Sequence, residues 1–279
     1  EINALKSLNP DEIKGSKLFV SLEPCAHEGR TPSCAKTLAA LPIQAVIFGL
    51  LDPNPLVAGQ GASIIKKAGV RVSSFVSHPD LQKNGIECQL KNLSIEEQNE
   101  WESLLKQTCE HFLWNFKNQL PFVSIKVAAS LDGQMALKNG ESKWITSEAS
   151  RDFSHYLRAF HDTTLVGAGT IMTDNPQLNI RHTLFQNPEN KKENKVVVLD
   201  PRGRCLRNCL HLNLFKNHAP ENLIFFVDSQ LDLSQISTDI KSSGIKIVAL
   251  SGPSNQLDLR LVLKKLWDMN IKSIFVEGG

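Results

Sequence analysis

Short apolar runs alternate with helix-like stretches along almost the whole of this 279-residue chain, and the alternation limits the folds that are open to it. Predicted strands fall at 17–22, 45–50, 70–76, 121–130, 163–167, 195–200, 222–228, 245–250 and 273–276. Predicted helices lie between them, from Glu1 and at 32–41, 61–68, 148–160 and 257–269. Strands and helices in alternation are typical of an α/β fold with layered sheets.

The length of the chain is sufficient for two domains, each with a sizeable core. Residues 94–117 form a polar and then aromatic run that predicts a helical connector. We therefore expect one domain over 1–93, a connector helix over 94–120 and a second domain over 121–279. Because Gly278-Gly279 directly follows a predicted strand, where a turn into a further helix is usual, the second domain is expected to be truncated.

Charge and hydropathy exclude several classes of partner. The 31 basic and 29 acidic residues give a net charge of +2 without long runs, which is not the pattern of a nucleic-acid-binding protein. No apolar run approaches the roughly 18 residues that a membrane span needs, and no signal peptide opens the chain. We expect a cytoplasmic protein that acts on a small molecule. In that setting the six cysteines favour metal ligation or reduced thiols over disulfides.

Two of the cysteines lie where one turn could direct both at a metal ion. Cys25 follows a predicted strand through Pro24, and Cys34 lies in the first turn of a predicted helix that Thr31 caps and Pro32 opens. The positive end of the helix dipole would favour the thiolate form of Cys34, which zinc requires. We expect both cysteines to bind zinc, with two buried thiols as the alternative.

A proton-transferring glutamate belongs to the same pattern. Zinc deaminases combine H-x-E with P-C-x-x-C downstream, where the His is a third ligand and the Glu moves protons without binding metal. Glu1 stands in the position of that Glu if a His lies two places before it, so the first domain is also expected to be truncated. Two cysteines alone do not complete a catalytic zinc site, which needs three protein ligands and an open position. Eight residues separate Cys25 from Cys34, against two in the general pattern, and this spacing is distinctive.

Eight short blocks form a pattern that extends over nearly the whole chain. They are the segments 1–5, 22–34, 52–59, 126–133, 140–146, 166–170, 174–178 and 276–279. In sequence and order these blocks resemble the bifunctional deaminase/reductase family of riboflavin biosynthesis. The resemblance implies an N-terminal cytidine-deaminase-like layered domain and a C-terminal dihydrofolate-reductase-like domain.

For the first domain the resemblance implies zinc-dependent hydrolytic deamination of a diaminopyrimidinone ribosyl phosphate. Glu1 would carry a proton from water to the departing amine, which requires a carboxylate near both. Residues expected to contact this substrate are His27, Arg30, Asp52 and Asn54. An alternative for His27 is direct ligation of zinc, and a turn-forming role is the alternative for Asp52 and Asn54.

For the second domain the resemblance implies reduction of the ribosyl group to a ribityl group by NADPH. The pattern leaves open whether Lys126 or Asp174 donates the accompanying proton. Residues expected to contact NADPH are Ala128, Trp144, Thr170, Asp174 and Gly279, although Trp144 could be a core side chain. Residues expected to hold the substrate are Ser142, Arg158, Leu178, Arg181 and Glu277, and arginine suits phosphate because its planar fork binds it in a bidentate manner.

The sequence thus predicts a bifunctional enzyme with zinc and NADPH as cofactors, assembled as a homo-oligomer. Two alternatives remain open: a reductase with a single activity, and a nucleotide-binding protein whose deaminase domain is a relic.

Overall fold

A computed structural model of the chain describes residues 1–28, 32–55, 57–141, 145–185, 192–207, 211–252 and 256–278. Four predicted site residues lie outside these ranges: Arg30, Ser142, Trp144 and Gly279. The chain divides into two compact units, Glu1–Lys117 and Asn118–Gly279. Within the ranges given, no helix is both long enough and apolar enough to cross a membrane.

The first unit contains a four-stranded parallel sheet. Its strands are β1 (Lys17–Leu22), β2 (Ala45–Leu50), β3 (Arg71–Ser74) and β4 (Glu87–Cys88), which lie side by side in that order. Its helices are α1 (Ile2–Leu5), α2 (Pro10–Ile13), α3 (Cys34–Ala39), α4 (Gln60–Lys67), α5 (Pro79–Lys83) and α6 (Ile95–Thr108), and α7 (Glu110–Asn118) follows. The predicted strands 17–22 and 45–50 are confirmed at both ends.

Strand β2 is the centre of this unit, because all six of its residues are buried. Leu38 of α3 and Ile65 of α4 pack with Val46 on one side of the strand. A methyl group at Gly49 would lie 2.6 Å from Leu105 of α6 and 2.3 Å from the Ser21 carbonyl oxygen. The close approach at Gly49 therefore lets α6 pack directly on β2.

Two differences from the predicted helices bear on the first unit. The predicted connector is two helices, α6 and α7, which meet at Cys109, and the first of them packs on the sheet. The helix predicted over 32–41 is shorter, since Ser33 caps it and Cys34 is its first residue. The Ser33 hydroxyl accepts the Lys36 backbone N–H at 3.3 Å, so Ser33 fulfils the capping role that the sequence assigned to Thr31.

The second unit contains a six-stranded sheet in which all strand pairs are parallel. Its strands are β5 (Phe122–Lys126), β6 (Thr163–Gly167), β7 (Lys195–Leu199), β8 (Leu223–Asp228), β9 (Lys246–Leu250) and β10 (Ser273–Glu277). They lie in the order β5-β10-β6-β7-β8-β9. The first strand is shorter than the predicted 121–130, because Lys126 pairs with Glu277 and the neighbouring strand β10 ends there.

Helices cover both faces of this sheet. They are α8 (Glu148–Phe160), α9 (Ala168–Asp174), α10 (Arg204–Arg207), α11 (Asn213–Asn217), α12 (Thr238–Ser242) and α13 (Leu259–Asp268). Successive residues of β8 belong to different apolar clusters: Phe225 packs with Ile171 of α9, whereas Phe226 packs with Leu266 of α13. Burial of both faces explains why β7 and β8 are continuous apolar runs without alternation.

Candidate active sites

The first candidate site lies between the end of β1 and the start of α3. The Cys25 carbonyl oxygen accepts the Ser33 hydroxyl at 2.8 Å and the Ala35 backbone N–H at 3.1 Å. The Cys34 backbone N–H points at the Cys25 sulfur, 3.3 Å away. These bonds hold the start of α3 against Cys25 and bring Cys34 next to it. Glu1 lies near this pair, and its carboxylate contributes to raising the pKa of the Cys34 thiol.

The protonation of Cys34 differs from the sequence prediction. Burial, hydrogen bonds with Cys25 and Glu1, and the charge of Glu1 raise the pKa of the Cys34 thiol to about 12. The direction of this pKa shift is opposite to the thiolate that the sequence predicts, because burial first, and then a second sulfur and a neighbouring carboxylate, outweigh the dipole of the short helix α3. A divalent cation between the sulfurs would reverse this balance, since it stabilises thiolate over thiol.

The donor atoms suit zinc, which binds thiolates and is the metal that such a pair usually selects in a site without redox chemistry. No group of three or more His, Cys, Asp or Glu side chains suited to a metal ion occurs in the part of the chain that the structure describes. Cys25 and Cys34 thus supply two ligands of a possible site, with Glu1 beside them.

A buried carboxylate that the sequence analysis missed joins this site to the next loop. Glu23 is only 3% exposed and precedes Pro24-Cys25. Its two carboxylate oxygens accept backbone N–H groups from Asp52 at 3.3 Å, Gly59 at 2.9 Å and Ala62 at 3.0 Å. The only sequence signal was a charged residue directly after a predicted strand, and such a residue is rarely buried unless it is paired.

Three predicted substrate residues of the first unit lie on the loops around this carboxylate. The Asp52 side chain accepts the Asn54 backbone N–H at 2.8 Å, and the Asn54 carbonyl accepts the backbone N–H groups of residues 57 and 58. The turn-forming role of both residues is therefore present, and it does not conflict with a contact to substrate. His27 is exposed.

The second candidate site is a cleft of about 400 Å³ at the carboxyl ends of β5, β10 and β6. In parallel α/β sheets this is the edge where ligands bind. Six predicted residues line the cleft: Lys126, Ala128, Thr170, Asp174, Leu178 and Glu277. Other lining residues were missed by the sequence analysis, among them Met135, Thr146, Arg151 and Pro176. Arg151 carried no signal in the sequence, because a lone arginine on a helix is usually a surface residue.

Arg158 holds one wall of this cleft through Glu277. The Arg158 side chain is buried, and its Nε and Nη2 donate to the two carboxylate oxygens of Glu277 at 2.8 and 2.9 Å. Its Nη1 donates to the Asn179 carbonyl oxygen. Removing one partner of a buried ion pair leaves an uncompensated charge and typically costs about 3–5 kcal/mol. The pair therefore fixes the Glu277 carboxylate at the end of β10, next to Lys126.

Arg181 lies outside the residues that line the cleft, on the segment that follows Leu178. It is exposed, and its Nη1 donates to the Gln177 side chain at 3.0 Å. Its Nε and Nη2 lie 3.4 and 3.3 Å from Nε2 of His155 on α8.

The segment that carries these residues has a strained backbone. Asn175 and Leu178 have φ values of 43° and 54°, and a left-handed conformation in a leucine costs on the order of 1–3 kcal/mol. Side chains from later in the chain hold the segment: Asn194 donates to the Leu178 carbonyl at 3.0 Å and Asn213 to the Asn175 carbonyl at 2.8 Å. Leu178 itself is buried and lines the cleft, so the strain is located at the candidate site.

Comparison with known proteins gives one consistent group of relatives. The family described as RibD C-terminal domain matches residues 121–279. Riboflavin biosynthesis protein RibD of Bacillus amyloliquefaciens is 35% identical over 270 residues, which cover 95% of this chain and 62% of that protein.

Two solved structures agree with this result. RibD of Acinetobacter baumannii has a TM-score of 0.72 and 30% identity, and the match covers 100% of this chain and 66% of that chain. A diaminohydroxyphosphoribosylaminopyrimidine deaminase/5-amino-6-(5-phosphoribosylamino)uracil reductase of Thermotoga maritima has a TM-score of 0.68 and 31% identity. That match covers 95% of this chain and 62% of the other chain. The chain therefore spans somewhat less than two thirds of the length of these relatives.

Proposed function

The chain belongs to the RibD family, and on this premise we propose that its second unit catalyses the NADPH-dependent reduction of a ribosyl phosphate in riboflavin biosynthesis. The observation that carries the proposal is the cleft at the strand ends, where Lys126, Asp174, Leu178 and Glu277 converge from separate parts of the chain. In this proposal residues 121–279 form a dihydrofolate-reductase-like domain.

NADPH would supply a hydride to C1′ of the ribosyl group. The chain's own residues would then provide the proton that the ring oxygen takes up as the sugar opens. Lys126 and Asp174 both line the cleft and are the two candidates for this proton. Ala128 and Thr170 would contact NADPH, together with Trp144 and Gly279, which lie outside the described residues.

The substrate would be held on the opposite wall. Leu178 would pack against it, and the Glu277 carboxylate, fixed by Arg158, would accept its hydrogen bonds. We assign its phosphate to Arg181, an exposed guanidinium on the strained segment next to Leu178. Ser142 belongs to the same proposed set and lies outside the described residues.

For the first unit we propose a cytidine-deaminase-like domain over residues 1–93, followed by the connector 94–120. Support comes from the convergence of Glu1, Cys25 and Cys34 and from the name of the Thermotoga maritima relative. Cys25 and Cys34 would hold zinc together with the His that the family pattern places before Glu1. Zinc, when bound, activates water for attack on the pyrimidine.

Glu1 would accept a proton at its carboxylate and release it to the departing amine, a transfer for which its position beside Cys34 is suitable. Asp52, Asn54 and His27, with Arg30 outside the described residues, would bind the pyrimidine ribosyl phosphate. The Glu23 carboxylate keeps the loop of Asp52 next to the loop of Cys25.

The reductase proposal is tested by NADPH oxidation in Lys126→Met and Asp174→Asn, with Lys246→Met on the exposed edge of β9 as a matched control. The variant that lacks the proton donor should lose about 10²- to 10⁴-fold in kcat, whereas the control variant should keep full activity. If NADPH oxidation by the wild-type protein needs no ribosylaminopyrimidine phosphate, or if both cleft variants are fully active, the assignment fails.

The deaminase proposal is tested by the metal content of a chain that includes the His of the family pattern. Cys25→Ser combined with Cys34→Ser should remove zinc and deamination together. Cys88→Ser is the matched control, because the Cys88 thiol is partly buried and bonds to the Phe75 carbonyl. A double variant that keeps its zinc would contradict the ligand assignment, and a zinc-loaded wild type without deamination would favour a relic domain.

A further inference from the structure

The His155 imidazole connects two parts of the proposed reductase site. It lies on α8, one turn before Arg158, and its Nδ1 is 3.2 Å from the Asn179 carbonyl oxygen. On its other side, Nε2 is 3.4 Å from Nε and 3.3 Å from Nη2 of Arg181. One ring therefore contacts the backbone next to Leu178 and the guanidinium three residues further along.

Arginines flank both ring nitrogens, and the contact with Arg181 favours one tautomer. An arginine side chain can only donate hydrogen bonds, and two nitrogens of Arg181 face Nε2, whereas Nη1 of Arg158 already donates to the Asn179 carbonyl; Nε2 is therefore assigned as the acceptor without a proton. A neutral imidazole then has its proton on Nδ1, which donates to the Asn179 carbonyl. Arg158 Nη1 lies 3.3 Å from Nδ1 and donates to the same carbonyl, so the two side chains share this acceptor.

The charges around the ring support the neutral form. Burial, followed by the charges of Arg158 and Arg181, lowers the pKa of His155 to about 4. The Asn179 carbonyl and Asp152 act in the opposite direction. Asp152 also has another partner nearby, since its carboxylate lies 3.2 Å from His182. Glu277, the acidic partner of Arg158, is paired with that arginine.

We propose that His155 is a positioning residue, which fixes the guanidinium plane of Arg181 for the phosphate of the substrate. This inference rests on the proposed phosphate role of Arg181. Without the ring, Arg181 keeps the Gln177 contact at Nη1 but loses the His155 contact of both Nε and Nη2. A long side chain with fewer contacts samples more rotamers, and ordering it would then oppose substrate binding.

The first test needs no substrate. Multiple-bond ¹H–¹⁵N spectra of the wild-type chain should show His155 with a protonated Nδ1 and a bare Nε2 and with a pKa well below that of an exposed histidine. In Arg181→Ala the pKa of His155 should rise, because one of the two neighbouring cations is gone. A proton on Nε2 in the wild type, or an unchanged pKa in Arg181→Ala, would overturn the proposal.

The second test is a double-mutant cycle on the reductase reaction. His155→Leu should raise KM for the ribosylaminopyrimidine phosphate about tenfold, the loss expected for one hydrogen bond to a charged group, with KM for NADPH and kcat little changed. His155→Gln should recover most of the loss, because its amide can accept from Arg181 and donate to Asn179. In the Arg181→Ala background His155→Leu should have no further effect.

Fully additive effects of the two substitutions would mean that His155 does not act through Arg181. A wild-type protein without reductase activity would instead refute the proposed function. In that case the nuclear magnetic resonance test still decides whether His155 holds Arg181.

Discussion

Glu23→Gln should loosen the loop that contains Asp52 and Gly59, which the Glu23 carboxylate holds next to the loop of Cys25. The Glu23 carboxylate is 3% exposed and accepts three backbone N–H groups, from Asp52, Gly59 and Ala62. Glutamine has the same shape, but one of its two terminal atoms is an NH₂ group. At least one backbone N–H must then face another donor in a buried position.

The size of the effect follows from how the amide can be oriented. In its better orientation the amide oxygen keeps the Asp52 and Gly59 bonds as neutral hydrogen bonds, while the Ala62 N–H loses its acceptor. An unsatisfied buried donor costs about 1–3 kcal/mol, and the loss of charge at the two remaining bonds adds roughly 1 kcal/mol. The total is about 2–4 kcal/mol, which corresponds to roughly 30- to 1,000-fold more frequent opening of this loop.

Native-state hydrogen exchange measures this directly at the amides of Gly59 and Ala62. Glu28→Gln is the control, since Glu28 is exposed, lies in the same unit and pairs with Lys36 at 2.7 Å. We expect faster exchange at both amides in Glu23→Gln and no change in Glu28→Gln. Unaltered exchange at Gly59 and Ala62 in Glu23→Gln would show that packing, and not the carboxylate, holds the loop.

Three further predictions concern both units. Gly61→Ala should displace the Cys25 loop, because a methyl group at this position would lie 1.9 Å from the Pro24 carbonyl oxygen. Metal analysis should then show weaker zinc retention, and a variant that retains zinc as well as the wild type would contradict this prediction. Glu1→Gln should keep zinc but lose about 10²- to 10⁴-fold in deamination, since an amide cannot accept the proton, and a variant at full rate would remove Glu1 from the mechanism. The folded protein holds His155 neutral with a pKa lowered to about 4, whereas the unfolded chain takes up a proton below about 6.5. The contribution of His155 to the free energy of unfolding should therefore be present above pH 6.5 and decline as the pH falls towards 4. Denaturation experiments at several pH values should show a smaller decline in His155→Gln. An identical pH dependence in the variant would refute the assignment.

The positions of the main strands were accessible from the sequence because they depend on local pattern. The runs at 17–22, 45–50 and 163–167 are strands with the predicted ends, and the helix at 148–160 is also confirmed. Short helices such as Thr238–Ser242 were missed, because a single turn leaves too few residues for a periodic signal. The end of β5 was missed for a different reason, since it is set by the end of its partner β10.

The sequence alone determined the α/β class, the family and six of the residues that line the second cleft, because these follow from motifs of a few neighbouring residues. It pointed to Cys25 and Cys34 as candidate ligands but not to the protonation of Cys34, which depends on burial and on contacts with Cys25 and with Glu1, 33 positions earlier in the chain. Only the tertiary structure decided the partners of the buried charges. Glu23 bonds to residues up to 39 positions away, and Arg158 pairs with Glu277 across 119 positions. Such contacts leave no local pattern in the sequence. A buried charge needs a partner, and tertiary packing decides which distant residue becomes that partner.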